Sequence, residues 1–124
     1  MLLFFTHAIA DQMKPQPGTL DVFCQNRRSV MIIRRANTNS RVAVIAVGAM
    51  LVGSIIYNPG VAVGSQVRRA QCLGKFQYGG STVITVYPAG EIDMDADIVQ
   101  NSTEQNCETL VRVGDRIGRG PKNA

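Results

Sequence analysis

The sequence predicts a mainly β fold: one β-rich domain of sandwich or barrel type with few short helices. Three observations carry that expectation. Short runs rich in valine and isoleucine recur along the chain, and such residues suit a pleated, half-buried surface. Clusters of Gly, Asn and Pro separate those runs at turn-like intervals. The length of 124 residues with 45% hydrophobic content permits a single modest core.

In chain order, the expected strands are Asp21 to Phe23, Ser29 to Arg34, Val42 to Val47, Gly53 to Tyr57, Ser81 to Tyr87 and Thr109 to Val113. The turns between them are Asn37-Thr38-Asn39-Ser40, Asn58-Pro59-Gly60, Gly79-Gly80, Pro88-Ala89-Gly90 and Gly114. Val42 to Tyr57 is the one candidate membrane span, but its 16 residues fall short of the roughly 20 that cross a bilayer. Gly48 and Gly53 also interrupt it, so two buried strands with a bend explain it better. Gly60 to Gly74, with Val67 and Leu73 turned inward, resembles the hairpin turn of biotinyl and lipoyl domains. Lys75 precedes Phe76 inside a strand-like run rather than standing at a hairpin tip, which argues against a swinging-arm carrier. Asp93, Asp95 and Asp97 alternate within Ile92 to Asn101, yet the glycine and terminal glutamate of a calcium loop are missing. A solvated strand edge or a short helical turn is expected there, and no metal site.

The net charge of +4 comes from ten arginines and three lysines against nine acidic residues. Mean hydropathy is +0.03, which excludes a polytopic membrane protein. Arg27-Arg28, Arg34-Arg35 and Arg68-Arg69 read as solvated strand ends and turns, or as attraction to anionic lipid head groups. Nucleic acid is disfavoured by the absence of Trp, the sparse aromatics near the basic pairs and the lack of zinc-finger spacing. Cys24, Cys72 and Cys107 show neither metal-ligand spacing nor a disulfide framework, so buried thiols are expected. Asn101-Ser102-Thr103 is a glycosylation sequon, of a kind common by chance.

Gly79-Gly80-Ser81-Thr82, ahead of the strand-like Val83-Ile84-Thr85-Val86-Tyr87, is the most informative stretch. Alone it is a turn, since two glycines open the backbone to positive φ. Its flanks say more. Leu20-Asp21-Val22-Phe23 with Asn26 and Arg28 comes first, followed by Val42-Ala43-Val44 through Val47-Gly48-Ala49 to Val52-Gly53-Ser54-Ile55. Leu73-Gly74-Lys75-Phe76 then leads into Gly79-Gly80-Ser81-Thr82-Val83. Asp97 with Asn101-Ser102, and Glu108 to Asp115 with Ile117-Gly118, complete the series. In these five blocks the chain resembles the C-terminal part of the phosphatidylserine decarboxylase family, over about four-fifths of its length.

The resemblance implies a pyruvoyl enzyme that cuts itself between Gly80 and Ser81, with Gly79 and Thr82 supporting the site. A serine hydroxyl is a weak nucleophile until a base activates it. Ser81 would attack the carbonyl of Gly80, whose lack of a side chain leaves room for the tetrahedral intermediate. Elimination and hydrolysis would convert Ser81 into a pyruvoyl group heading a chain of residues 81–124, paired with a chain of residues 1–80. That ketone would form a Schiff base with phosphatidylserine and act as the electron sink for decarboxylation to phosphatidylethanolamine. The implied setting is an anionic membrane surface: the mitochondrial inner membrane or Golgi and endosomal membranes in a eukaryote, the cell membrane in a bacterium.

The family's self-cleavage draws on a histidine and an aspartate upstream of the serine, arranged as in a serine-protease triad. The sole histidine here, His7, lies between Thr6 and Ala8, outside the family's Tyr-His-Arg context. The base is therefore expected to be absent from this chain, which reads as part of the enzyme and inert by itself. Residues 1–19 are divergent, 20–118 are the decarboxylase-like part, and 119–124 are a tail. The alternatives are a half that pairs with a separately supplied amino-terminal half, or a non-catalytic β-rich interaction module.

Overall fold

The computed structural model describes residues 26–48, 55–77 and 81–120. Within them seven strands and one helix follow in order: β1 (Arg28–Arg34), β2 (Arg41–Val47), β3 (Ile55–Tyr57), β4 (Gly74–Phe76), β5 (Thr82–Val86), β6 (Asp93–Met94), α1 (Ala96–Thr103) and β7 (Gly118–Arg119). The β-rich expectation holds. The strands form one three-stranded sheet in the order β1-β2-β5 and two two-stranded sheets, β3-β4 and β6-β7. Among the described residues β1 and β5 are the outer strands of the larger sheet.

β1 and β2 are a hairpin in which Arg28 faces Val47 and Arg34 faces Arg41. The turn between them closes through Arg35 N–H to the Ser40 carbonyl at 2.8 Å and Asn39 N–H to the Arg35 carbonyl at 2.9 Å. Asn39 takes a left-handed φ of 57°, which asparagine tolerates better than most residues. β2 is the central strand, and its Val-Ala-Val-Ile-Ala-Val run suits a position with a neighbour on either edge. Val42 and Val47 are the buried apolar residues of the described chain. Antiparallel register places Val30, Ile45 and Ile84 in one row and Ile32, Ala43 and Val86 in the next, on the same face. Val30, Ile32, Ile84 and Val86 on that face are exposed.

Val42 to Tyr57 supplies two strands, β2 and β3, as expected; residues 49–54 lie outside the described segments. β3 pairs with β4 around the loop of residues 58–73. Asn58 starts that loop by bonding its backbone N–H to the Leu73 carbonyl at 2.9 Å and its side-chain amide to the Cys72 carbonyl at 3.0 Å. Val67 and Leu73 are half-buried, whereas Lys75 is exposed on β4. Gly74 faces Tyr57, and a Cβ there would run into the Ile56 carbonyl, so the pairing requires glycine at that point. A hydrogen bond of 2.7 Å between the Ser29 and Tyr57 hydroxyls ties the small sheet to the large one.

Two expectations are corrected and a third is met. Thr109 to Val113 is not a strand: Leu110 and Val113 are 90% and 72% exposed, and among the described residues no strand pairs with this stretch. It ends in a turn closed by Arg112 N–H to Asp115 Oδ2 at 2.7 Å and Asp115 N–H to the Arg112 carbonyl at 3.0 Å. Cys72 and Cys107 are exposed rather than buried, because both fall on connecting segments outside any sheet. Ile92 to Asn101 is both of the forms expected for it, a two-residue strand edge and the start of a full eight-residue helix. The expected strand at Asp21 to Phe23, the tail beyond residue 120 and Cys24 lie outside the described residues.

Candidate active site

Ser81 is 4% exposed, the buried polar residue of the described chain. It stands immediately before β5, whose first residue, Thr82, faces Val47 at the end of β2. Val47 also faces Arg28, so Arg28, Val47 and Thr82 form the last row of the sheet at the end where Ser81 enters. Local bonds hold that end of β2. The Asn26 side-chain amide donates to the Gly48 carbonyl at 2.8 Å, and the Gly48 N–H donates to the Arg27 carbonyl at 2.9 Å. Asn26 and Arg28, singled out in the sequence, thus belong to the sheet end beside Ser81. Gly79 and Gly80 lie outside the described residues, as does His7.

The sequence separates Ser81 widely from the residues that pin the other end of its strand. Beyond Val86, the turn at Pro88-Ala89-Gly90 brings Glu91 back against the β1–β2 hairpin. Arg35 Nη1 donates to Glu91 Oε2 at 2.8 Å, and Ser40 Oγ donates to the same oxygen at 2.7 Å. Tyr87 sits close by, its phenol pushed above its ordinary value by burial, with a Thr85 hydrogen bond and the Arg35 charge pulling the other way. The sequence marked the turn at Pro88 to Gly90 but carried no signal for its acidic neighbour, because a lone glutamate after a turn is ordinary.

Other marked residues do not converge on Ser81. Asp95 Oδ2 accepts from Arg116 Nε at 2.9 Å, which raises the Arg116 guanidinium further and leaves the α1 N-terminus without a side-chain cap. Among the described residues no group of three His, Cys, Asp or Glu could hold a metal ion. The Asn101 amide donates to Thr109 Oγ1 at 2.9 Å, within the helix and its return. Arg68 and Arg69 are exposed on the 58–73 loop. No helix among the described residues is long and apolar enough to cross a membrane.

Ser81 is thus a buried serine at the head of a strand laddered to β2, and in the sequence it follows a pair of glycines. The sequence matches the phosphatidylserine decarboxylase family over residues 4–119. Phosphatidylserine decarboxylase proenzyme 3 of Schizosaccharomyces pombe is 44% identical over 100 residues, covering 81% of this chain and 10% of that protein. Proenzyme 2 of Oryza sativa subsp. japonica is 41% identical over 103 residues, 83% of this chain and 16% of the relative. The proenzyme of Fusobacterium nucleatum is 30% identical over 113 residues, 91% and 34% respectively. No solved structure matches the chain significantly. The chain belongs to the phosphatidylserine decarboxylase family. It spans from a tenth to a third of the length of these relatives.

Proposed function

We propose that this chain is the part of a pyruvoyl-dependent phosphatidylserine decarboxylase that carries the self-cleavage bond, Gly80–Ser81. The observation that carries the reading is the burial of Ser81 at the head of β5. In the cut, Ser81 Oγ attacks the Gly80 carbonyl carbon while a base takes its proton, and the amide becomes an ester. Loss of the Ser81 α-proton expels the Gly80 carboxylate as the leaving group and forms a C=C bond at residue 81. Water then replaces the nitrogen, ammonia departs, and a ketone is left at the head of residues 81–124. The site suits such a group: a position 4% exposed shields a reactive ketone from water, and the β2–β5 ladder keeps the new terminus seated. When formed, a pyruvoyl group supplies an electrophilic carbonyl for a substrate amine and a sink for the electrons freed as carbon dioxide leaves.

The chain's own part in this is to place and shelter Ser81. β2 fixes its strand on one side, while Asn26 holds the end of β2 where Ser81 enters. Phosphatidylserine as substrate, and a phospholipid-bearing membrane as its setting, follow from the family and from the exposed Arg28, Arg34, Arg68 and Arg69, which favour anionic head groups. The base is the component this sequence lacks in the family's context, since its one histidine is His7.

Intact-mass analysis tests the reading. Combined with the upstream region of a family member, the chain is expected to yield residues 1–80 and a residue 81–124 product with a blocked terminus. Ser81→Ala is expected to stop this completely. Alone, the chain is expected to remain uncut, general-base catalysis being worth roughly 10²–10⁴-fold. Cleavage that persists in Ser81→Ala would assign the cut to a protease, and cutting of the isolated chain that His7→Ala abolishes would make His7 the base.

A further inference from the structure

We propose that Glu91 is a positioning residue. Gripped by Arg35 and Ser40, it is the clasp that keeps the segment starting at Ser81 seated on the segment that precedes it. The proposal rests on the Gly80–Ser81 cut, because that cut turns an internal contact into one between two chains. Once the bond is broken, residues 81–124 are joined to the rest by non-covalent contacts. One set is the β2–β5 ladder, from Ala43 facing Val86 to Val47 facing Thr82. Among the described residues β5 is an outer strand of its sheet, laddered on one edge only.

The clasp supplies a second fastening beyond the far end of that ladder. Both donors come from the β1–β2 hairpin, on residues before the cut, and both address a single carboxylate oxygen after it, at 2.8 and 2.7 Å. Hydrogen bonds to an ionised acceptor are the stronger kind, and the partial shielding of Arg35 (32% exposed) and Glu91 (20%) limits competition from water. Arg116 with Asp95 offers a contrast, since both lie after the cut and their bond fastens nothing across it. With β5 held along its ladder and fastened beyond its far end, Ser81 is kept from sliding along β2. A one-residue slip would turn the strand's side chains to the opposite face and take Ser81 out of its buried position.

Amide hydrogen exchange of the whole chain tests the clasp without any cleavage. Glu91→Gln and Arg35→Met are each expected to speed exchange across Thr82–Val86 by about fivefold to tenfold, with Ser40→Ala smaller. Exchange at Ile55–Tyr57 and Gly74–Phe76 stays unchanged. The exchanged pair, Arg35→Glu with Glu91→Arg, is expected to restore at least half of the protection. Unaltered exchange at Thr82–Val86 in both single variants overturns the clasp, as does a uniform rise over every strand. The second arm is native gel filtration of protein cut at Gly80–Ser81. Wild type is expected to keep residues 1–80 and 81–124 together, and Glu91→Gln to shed the latter. Retention in every variant also overturns the clasp. Failure of wild type to cut sinks the cleavage reading instead, and the exchange arm alone then decides the clasp.

Discussion

β2 with β5 and the stretch from Glu108 to Asp115 are alike in sequence and opposite in structure. Both are rich in β-formers between turn residues. Val42 and Val47 are 4% and 3% exposed, while Leu110 and Val113 are 90% and 72% exposed. The difference lies in partners. β2 has a strand on each edge: β1 pairs with it from Arg41 to Val47, and β5 from Ala43 to Val47. Residues 109–113 meet no strand among those described, and Gly114, at φ 98°, turns the chain away. β-propensity is therefore a fitness for a pleated surface, realised where a surface is provided. Ser81 lies on the first side of this divide.

The widest expected separation between the two regions comes from placing a charge in each. Val47→Asp puts a carboxylate into the buried end of β2 beside Thr82, and is expected to cost about 3 kcal/mol or more. Val113→Asp, on an exposed turn, is expected to stay within about 0.5 kcal/mol of the parent. Urea denaturation followed by circular dichroism measures both. Equal losses would erase the contrast and show that residues 109–113 are packed in solution.

The large sheet was legible because its strands keep a simple pattern. Ser29 to Arg34 alternates between half-buried and exposed along β1, and Val42 to Val47 is continuously apolar as a central strand should be. The place of Ser81 at the start of a strand was legible for the same reason, and the structure sets that strand beside β2, with Thr82 facing Val47. The short elements were not. Gly118–Arg119 pairs with Asp93–Met94 through two residues of no β preference. α1 holds Ala96 and Gln100, which favour a helix, but half of it is Ile98, Val99, Ser102 and Thr103, none of them strong helix formers. The Ser102 and Thr103 hydroxyls bond back to the carbonyls of Ile98 and Val99. Glu91 was invisible for another reason: its meaning comes from Arg35 and Ser40, more than fifty residues away, and no local pattern encodes that meeting.

A smaller effect sharpens the comparison at the end of the first region, where Tyr87 follows β5. Burial raises the phenol above its ordinary value near 10, so the fold favours the neutral form. The sign follows from linkage. With the folded value above the unfolded one, Tyr87's contribution is complete below pH about 10 and is lost as pH rises through the folded value. Stability is expected to decline on the alkaline side of pH 10 in wild type, and Tyr87→Phe, which has no proton to lose, is expected to flatten that decline. Parallel alkaline limbs for the two proteins in pH-dependent thermal melts would place Tyr87 in solvent.

The smallest expected effect is also the most discriminating. Leu110 is 90% exposed, so Leu110→Ser removes a side chain already in water and is expected to change stability by no more than about 0.5 kcal/mol. A buried leucine cut to a small residue would instead lose about 2–5 kcal/mol, a gap several times the error of a urea melt. The same substitution measured in the presence of the family's upstream region gives a second reading. No change in either setting leaves the Glu108 to Asp115 stretch as a solvated connection. A large loss confined to the combined protein would show that Leu110 is covered there by chain from outside the described residues. That would make the stretch a surface waiting for its partner, just as β5 is a strand that has found one in β2.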